Sequence, residues 1–298
     1  MEVKEIDKFY KKKINFFSKV LSQFEKNESY YRDYFISYLE KDIHTFQREG
    51  YMFGEKRIFT IDFYQFFGAY TYSYKIPTSI LQFEKGDTNS FIQGYYYDVL
   101  FQIYSYIQNK EPNGLHTDLS LSVLFCLSFF PDDIKEITNI LYNFLAKNKE
   151  KFTKFPERID FGFKSTLYLM VELLKLYGYN DYSEQLIEFL RYPINEYYMN
   201  IIKQLHNYNS NEFYCAIEKL CEFHIQNSKS DLTLPFNKER WQYFPIEILS
   251  IIIYLRKKGI TLKSYNALIQ RFIPLIQDDI IIDKQELVFI KKKILSKQ

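Results

Sequence analysis

Glycine and proline are scarce in this chain of 298 residues, with 9 Gly and 8 Pro. A β-rich protein of this length would need many more turn residues, so the shortage favours long helices joined by short loops. Cysteine is equally sparse. Cys126, Cys215 and Cys221 are odd in number and lack framework spacing, which excludes a disulfide scaffold and points to a reducing compartment. A membrane helix needs roughly 20 apolar residues, and the longest nearly uncharged stretch, Leu119 to Phe130, is shorter and reads as a buried element. The N-terminus MEVKEIDKFYKKK is charged and has no apolar signal-peptide core. The expectation is a cytoplasmic protein without membrane contact. The four histidines (His44, His116, His206, His224) show no metal-ligand spacing, and Walker A, GxGxxG and GxSxG motifs are all missing. No enzyme, metal or cofactor is expected.

Aromatic residues, by contrast, abound: 28 Tyr and 29 Phe. They have modest β propensity, so periodicity has to decide between helix and strand. Net charge is +2, too small to steer nucleic acid globally, and no nucleic-acid partner is expected. The charge is nonetheless polarised. Residues 61–150 carry 6 basic and 10 acidic side chains, net −4, and residues 241–298 carry 10 and 5, net +5.

Helical periodicity recurs along the chain. Leu167, Met170, Val171 and Leu174 follow the i, i+3, i+4, i+7 rule, and Ile134, Ile137, Ile140, Leu141, Phe144 and Leu145 repeat it. Gly50, Gly178 and Gly259 read as helix stops, the last preceded by cations that suit a helix C-terminus. Starts fall at Asn27 or Ser29, at Asp87 or Thr88, and at Pro131-Asp132-Asp133. The fold expected is all-α, an irregular stack of about ten to twelve helices in helical hairpins with short loops. A brief extended stretch near Tyr51–Thr60 is a further expectation. The chain reads as a single domain, 1–298, with a weak subdivision near Lys147–Arg158; the polar break Asn227–Glu239 reads as a loop.

Two helices stand out. On a helix over Asn211–Gln226, the residues Phe213, Ile217, Leu220, Cys221 and His224 share one stripe, while Cys215 lies well off it. His224 is therefore expected as a core histidine bonded to a carbonyl. Cys221 and His224 could share a metal only with further ligands, and no second pair appears nearby. The helix over 245–258 starts with Pro245, tolerated in the first turn, and is apolar over most of its circumference, as a helix central to the fold would be. Glu247, Ser250, Tyr254, Lys257 and Lys258 form its polar stripe. Glu247 reads as a solvated edge residue, or else as a partly buried acid with a partner such as Tyr254.

The best catalytic candidate is Asp132-Asp133-Ile134-Lys135-Glu136, which superficially matches the DDxxE metal motif of class I terpene cyclases. Its partner segment, Asn180-Asp181-Tyr182-Ser183 with Glu188, has the serine one position early and lies too close in sequence. Acids stabilising a helix N-terminus explain it better. Asp278, Asp279 and Asp283, and the runs Lys11–Lys13 and Lys291–Lys293, read as solvated charge.

Over Asn211–Leu262 the pattern resembles the immunity protein 49 family of bacterial polymorphic toxin systems. The shared look is a helix of the type NEFYCAIEKLCEFHI, a polar loop, then FPIEILSIIIYLRKKGI with Pro-Ile-Glu and a basic residue before Gly-Ile. Trp241, Tyr243, Phe244 and Glu247 also resemble the immunity proteins of PoNe-type nuclease toxins, the second choice. Both resemblances imply an all-helical cytosolic protein that binds a cognate toxin and occludes its active site without chemistry of its own. The alternative is a helical-hairpin scaffold that binds cellular proteins or peptides. For the toxin contact, the acidic segment offers Asp62, Tyr64, Glu84, Asp87, Tyr95, Tyr96, Tyr97 and Asp98, since exposed tyrosines with carboxylates suit a basic cleft. The competing reading makes most of these tyrosines core.

Overall fold

Helix dominates the computed structural model, as the shortage of turn residues requires; it describes residues 2–25, 28–41, 43–109, 116–150, 166–190, 193–231, 234–277 and 282–296. In chain order come α1 (Val3–Glu25), α2 (Glu28–Lys41), the strands β1 (Thr45–Met52) and β2 (Glu55–Asp62), and α3 (Phe63–Tyr70). A π-helical turn (Thr71–Lys75) leads into α4 (Ile76–Phe83), followed by α5 (Thr88–Asn109) and α6 (His116–Phe129). A short 3-10 turn (Pro131–Asp133) opens α7 (Ile134–Lys147), and then come α8 (Leu167–Leu176), α9 (Asn180–Ile187) and α10 (Glu196–Gln204). The remaining helices are α11 (Asn211–Gln226), α12 (Glu239–Tyr243), α13 (Ile246–Lys257), α14 (Ala267–Gln270) and α15 (Gln285–Leu295). This is a helical stack with one two-stranded sheet among the described residues.

These elements group into two compact units, Met1–Lys13 with Glu111–Ile280, and Ile14–Lys110 with Ile281–Gln298. The expected weak division near Lys147–Arg158 falls mostly on residues 151–165, outside the described ones.

The unit built from Ile14–Lys110 explains the aromatic richness. Tyr38 stacks on Phe63 at 3.4 Å, Phe35 on Tyr70 at 5.1 Å, and Phe67 meets Phe101 edge-on at 5.5 Å. Each ring buries a large apolar area through few rotatable bonds, so a small unit gains a core from few residues. α3 starts where the Asp62 carboxylate accepts from the Gln65 N–H at 2.7 Å, and α5 where Asp87 accepts from the N–H and hydroxyl of Ser90. α15 packs on α5, and its Glu286 accepts a 2.5 Å bond from the Tyr97 hydroxyl.

Two expectations change in this unit. Gly50 does not stop a helix: Thr45–Met52 pairs antiparallel with Glu55–Asp62, Gly50 facing Arg57. Phe46 is the anchor of that strand, buried against Tyr34 and Phe66 at ring distances of 4.0 and 5.7 Å, and the Phe59 ring covers Gly50. The extended stretch expected near Tyr51–Thr60 is thus a full hairpin.

In the other unit α6 and α13 are the buried centre. Residues Thr117–Phe130 are buried throughout, as are Ile246–Ile253. α13 packs on α6, α8 and α11. Buried serines of α6 return their hydroxyls to the preceding turn, Ser122 to the Asp118 carbonyl and Ser128 to that of Leu124. Lys257, at the end of α13, donates to the Leu127 and Ser128 carbonyls at 3.1 and 3.0 Å and so caps the C-terminus of α6. Gly178 and Gly259 do end helices, at φ 87 and 77, where the Tyr179 and Ile260 amides reach back to the Leu174 and Leu255 carbonyls.

Candidate functional site

The chemistry-bearing residues of α11 and α13 meet each other. The Ser210 hydroxyl accepts from the Phe213 N–H at 3.1 Å and starts α11, whose stripe Phe213, Ile217, Leu220, Cys221 and His224 is buried as periodicity predicts. α13 begins after Pro245 and places Glu247 in its first turn. His224 Nδ1 lies 2.6 Å from Glu247 Oε1, and Nε2 lies 3.2 Å from the Gln242 carbonyl; neither His224 nor Glu247 exposes any surface. A carbonyl only accepts, so Nε2 carries a proton. A carboxylate and a bare imidazole nitrogen would repel at 2.6 Å, so another proton lies between Nδ1 and Oε1. The pair shares one short hydrogen bond with no surface open to solvent.

Aromatic and polar side chains surround the pair. Lys13 donates to the Gln242 side-chain oxygen, tying α1 to the same point, and the His224 ring lies 4.5 Å from Phe236. The Tyr10 hydroxyl, the Tyr198 hydroxyl and the second Glu247 oxygen are buried without a hydrogen-bond partner. Burial pushes both phenols above their ordinary range, and the Glu247 charge adds to the effect. Burial, reinforced by Glu247, pushes the Cys221 thiol up as well. What this arrangement does chemically is hold two helices in one register: a buried donor–acceptor pair is satisfied in a single alignment.

His224 therefore is the carbonyl-bonded core histidine expected, with a carboxylate in addition. Glu247 is a correction. It is wholly buried rather than at a solvated edge, because His224 supplies the hydrogen-bond partner that Tyr254 does not; the Tyr254 ring instead lies 5.3 Å from Tyr177. Lys13 is a second correction to the solvated basic run. Sequence reasoning missed Gln242, Tyr10 and Tyr198. The one available signal was an uncharged polar residue inside the Trp-Gln-Tyr-Phe run, a Gln with no reason to be there unless bonded. No group of three His, Cys, Asp or Glu suited to a metal occurs among the described residues. Glu188 pairs with Lys149 at 2.7 Å, Asp132 is exposed and Asp133 buried at the start of α7. Asp278 and Asp279 lie outside the described residues.

The predicted acidic patch divides. Tyr95, Tyr96, Tyr97 and Asp98 are buried on α5, so they present no surface to a partner. The physical reason is legible in their bonds: Asp98 accepts a 2.6 Å bond from the Tyr72 hydroxyl, and Tyr97 holds Glu286 while its ring lies 4.4 Å below the Lys75 ammonium. Four residues in a row are covered because α5 is enclosed along that stretch. Asp62 and Glu84 are exposed, Tyr64 and Asp87 half-buried. Tyr64 rests its ring on Phe101 at 5.3 Å, and the two aspartates cap helices.

Among the described residues the most exposed large apolar side chain is on the hairpin, at the end remote from Asp62. Phe53 at its tip is 91% exposed and Ile58 65%, with Met52 partly exposed. Phe53 has φ 53 and Gly54 φ 83, the pair of positive values a type I′ turn requires. A side chain as large as Phe is unusual there and costs about 1–2 kcal/mol. The hairpin charges satisfy one another, Glu49 with Lys56 at 2.6 Å and Glu55 with Arg57 at 2.9 Å.

Compared with known protein families, curated proteins and solved structures, the chain matches none of them.

Proposed function

We propose that this protein is an immunity protein: in the cytoplasm it binds a cognate bacterial toxin and blocks it by occlusion, with no catalysis of its own. The observation that carries the reading is the pairing of His224 with Glu247. The resemblance to the immunity protein 49 family rests on a helix ending in histidine and a second helix containing Pro-Ile-Glu. These two features lie 23 residues apart in sequence, yet they bond to each other, which makes the pattern one structural device rather than two coincidences. Because that device is buried, the toxin contact belongs to another surface. The hairpin supplies it: Phe53 pays strain without packing against its own chain, and such an exposed ring is suited to anchor in a partner's apolar pocket. Asp62 and Tyr64 lie at the base of the hairpin, a full strand length from Phe53.

The test is to look for a toxin gene adjacent to this one and to co-express the two; the lack of any such neighbour counts against the reading. Wild-type protein is expected to restore growth and to co-elute with the toxin as a stable complex. Cells that die despite soluble immunity protein, with no complex formed, end the reading. F53N is expected to abolish rescue while the protein stays folded.

A further inference from the structure

A second surface, independent of the toxin reading, lies in the unit that contains His224. α10 and α11 form a helical hairpin, and they run antiparallel: Tyr197 and Tyr198, at the start of α10, lie 4.8 and 5.8 Å from Phe223, near the end of α11. Between them opens a cleft of about 430 Å³. From α10 it is lined by Tyr197, Asn200, Lys203 and Gln204, and from α11 by Asn211, Cys215 and Lys219 among others.

The spacing of these side chains is the informative part. Asn200 and Gln204 are four residues apart, as are Asn211, Cys215 and Lys219 in succession. Four helical residues rise about 6 Å. An extended peptide repeats same-side groups every two residues, about 6.6–6.8 Å. An extended segment laid along the cleft therefore meets one helix side chain at each repeat. Amide side chains both donate and accept, which is what a peptide group needs.

Charge sets the rest. Lys203 and Lys219 face the cleft against a single acid, Glu212, and neither lysine has a carboxylate partner among the described residues. Lys203 stands at the loop end beside Gln204. Lys219 stands eight residues from Asn211, about 12 Å further along. Four residues of extended chain cover about 13 Å. We propose that this cleft binds an extended peptide segment carrying two acidic side chains four residues apart, one at Lys203 and one at Lys219.

Cys215 in the cleft wall provides the assay, since it is exposed while Cys126 and Cys221 are buried. Maleimide modification of the intact protein is followed by mass spectrometry, with the capped pentapeptide Glu-Ala-Gln-Ala-Glu as probe. The probe is expected to slow Cys215 modification, and its glutamine analogue is not. K203E and K219E are each expected to weaken the apparent affinity about threefold to fivefold, the upper part of the range for one exposed ion pair. K219R is expected to retain protection, and added salt to reduce it. Unchanged Cys215 rates without peptide show that the variants keep the cleft. Equal protection by the glutamine analogue, by free glutarate, or in K203E/K219E, or no protection at all, overturns the proposal.

Discussion

Removing one member of the buried pair is predicted to cost far more than removing both. In H224L the Glu247 carboxylate stays in a site with no exposed surface and loses its only hydrogen-bond partner, since its second oxygen already has none. An uncompensated buried charge costs about 3–5 kcal/mol. E247M removes the acid instead. The imidazole can then stay neutral and keep its 3.2 Å bond to the Gln242 carbonyl, so the loss is that of one charged hydrogen bond, about 1.5–3 kcal/mol. The double variant H224L/E247M leaves neither charge nor orphan acceptor and is predicted within about 2 kcal/mol of wild type, as for buried ion pairs replaced by apolar residues. The ordering H224L, then E247M, then the double variant is the signature. Urea unfolding read by Trp241 fluorescence follows it directly, because Trp241 is the only tryptophan, buried, and adjacent to Gln242. Additive single effects, agreeing within about 0.5 kcal/mol, would falsify the coupling. So would E247M costing more than H224L.

The hairpin tip makes the opposite kind of prediction. F53N converts Phe-Gly to the Asn-Gly preferred in type I′ turns and is expected to stabilise the protein by about 0.5–1 kcal/mol while losing partner binding, measured by thermal melting and by complex formation; a loss of stability refutes the strain argument. Where α4 and α5 cross, a Cβ on Gly94 would fall on Ser79 and 3.0 Å from the Lys75 carbonyl, so G94A is expected to destabilise by about 1–3 kcal/mol in a urea titration. Alkaline pH should unfold the chain early. Tyr10, Tyr97 and Tyr198 ionise near pH 10 when unfolded but are held protonated well above that by burial, so their contribution is complete below pH 10 and falls as pH rises further, by up to about 1.4 kcal/mol per unit per phenol. Lys13, Lys75 and Lys257, lowered by burial, act with the opposite sign, but Tyr104, Tyr177 and Cys221, raised by burial, add to the three phenols and keep the balance on their side. A melting temperature unchanged between pH 9 and 11 would count against this.

The helical class was legible because it follows from counting: few turn residues, and apolar spacing of three and four. Gly178 and Gly259 were readable as stops because a residue beyond a helix faces a requirement local to it. Gly50 misled for the same reason. A glycine after a polar run looks like a helix stop, and only the pairing of Thr45–Met52 with a strand ten residues on gives it a different role. The site shows the same boundary. His224 could be placed on a buried stripe from α11 alone, but Glu247 could not be assigned a partner, since nothing on α13 pairs with it. The partner lies on another helix, and single-helix reasoning sends an unpaired acid to solvent. Tyr95–Asp98 failed similarly. Four consecutive residues point around the whole circumference of a helix, so a surface reading requires at least one open face, and α5 has none there.

The separation of the buried pair from the exposed surfaces has a functional consequence. A buried His–Glu bond adds little net stability over a well-packed apolar pair, yet it penalises any helix alignment that leaves one member alone. It therefore selects one register for α11 against α13. α11 carries His224 on its buried stripe and Asn211, Cys215 and Lys219 on its cleft side, so the same register fixes where those three stand. A shift of α11 by one residue would turn each cleft side chain by about 100° and dismantle the 6 Å ladder. Changes to the exposed residues, in contrast, leave the pair untouched. In the proposed binding role, the side chains that choose a partner can vary while the interior keeps them aligned.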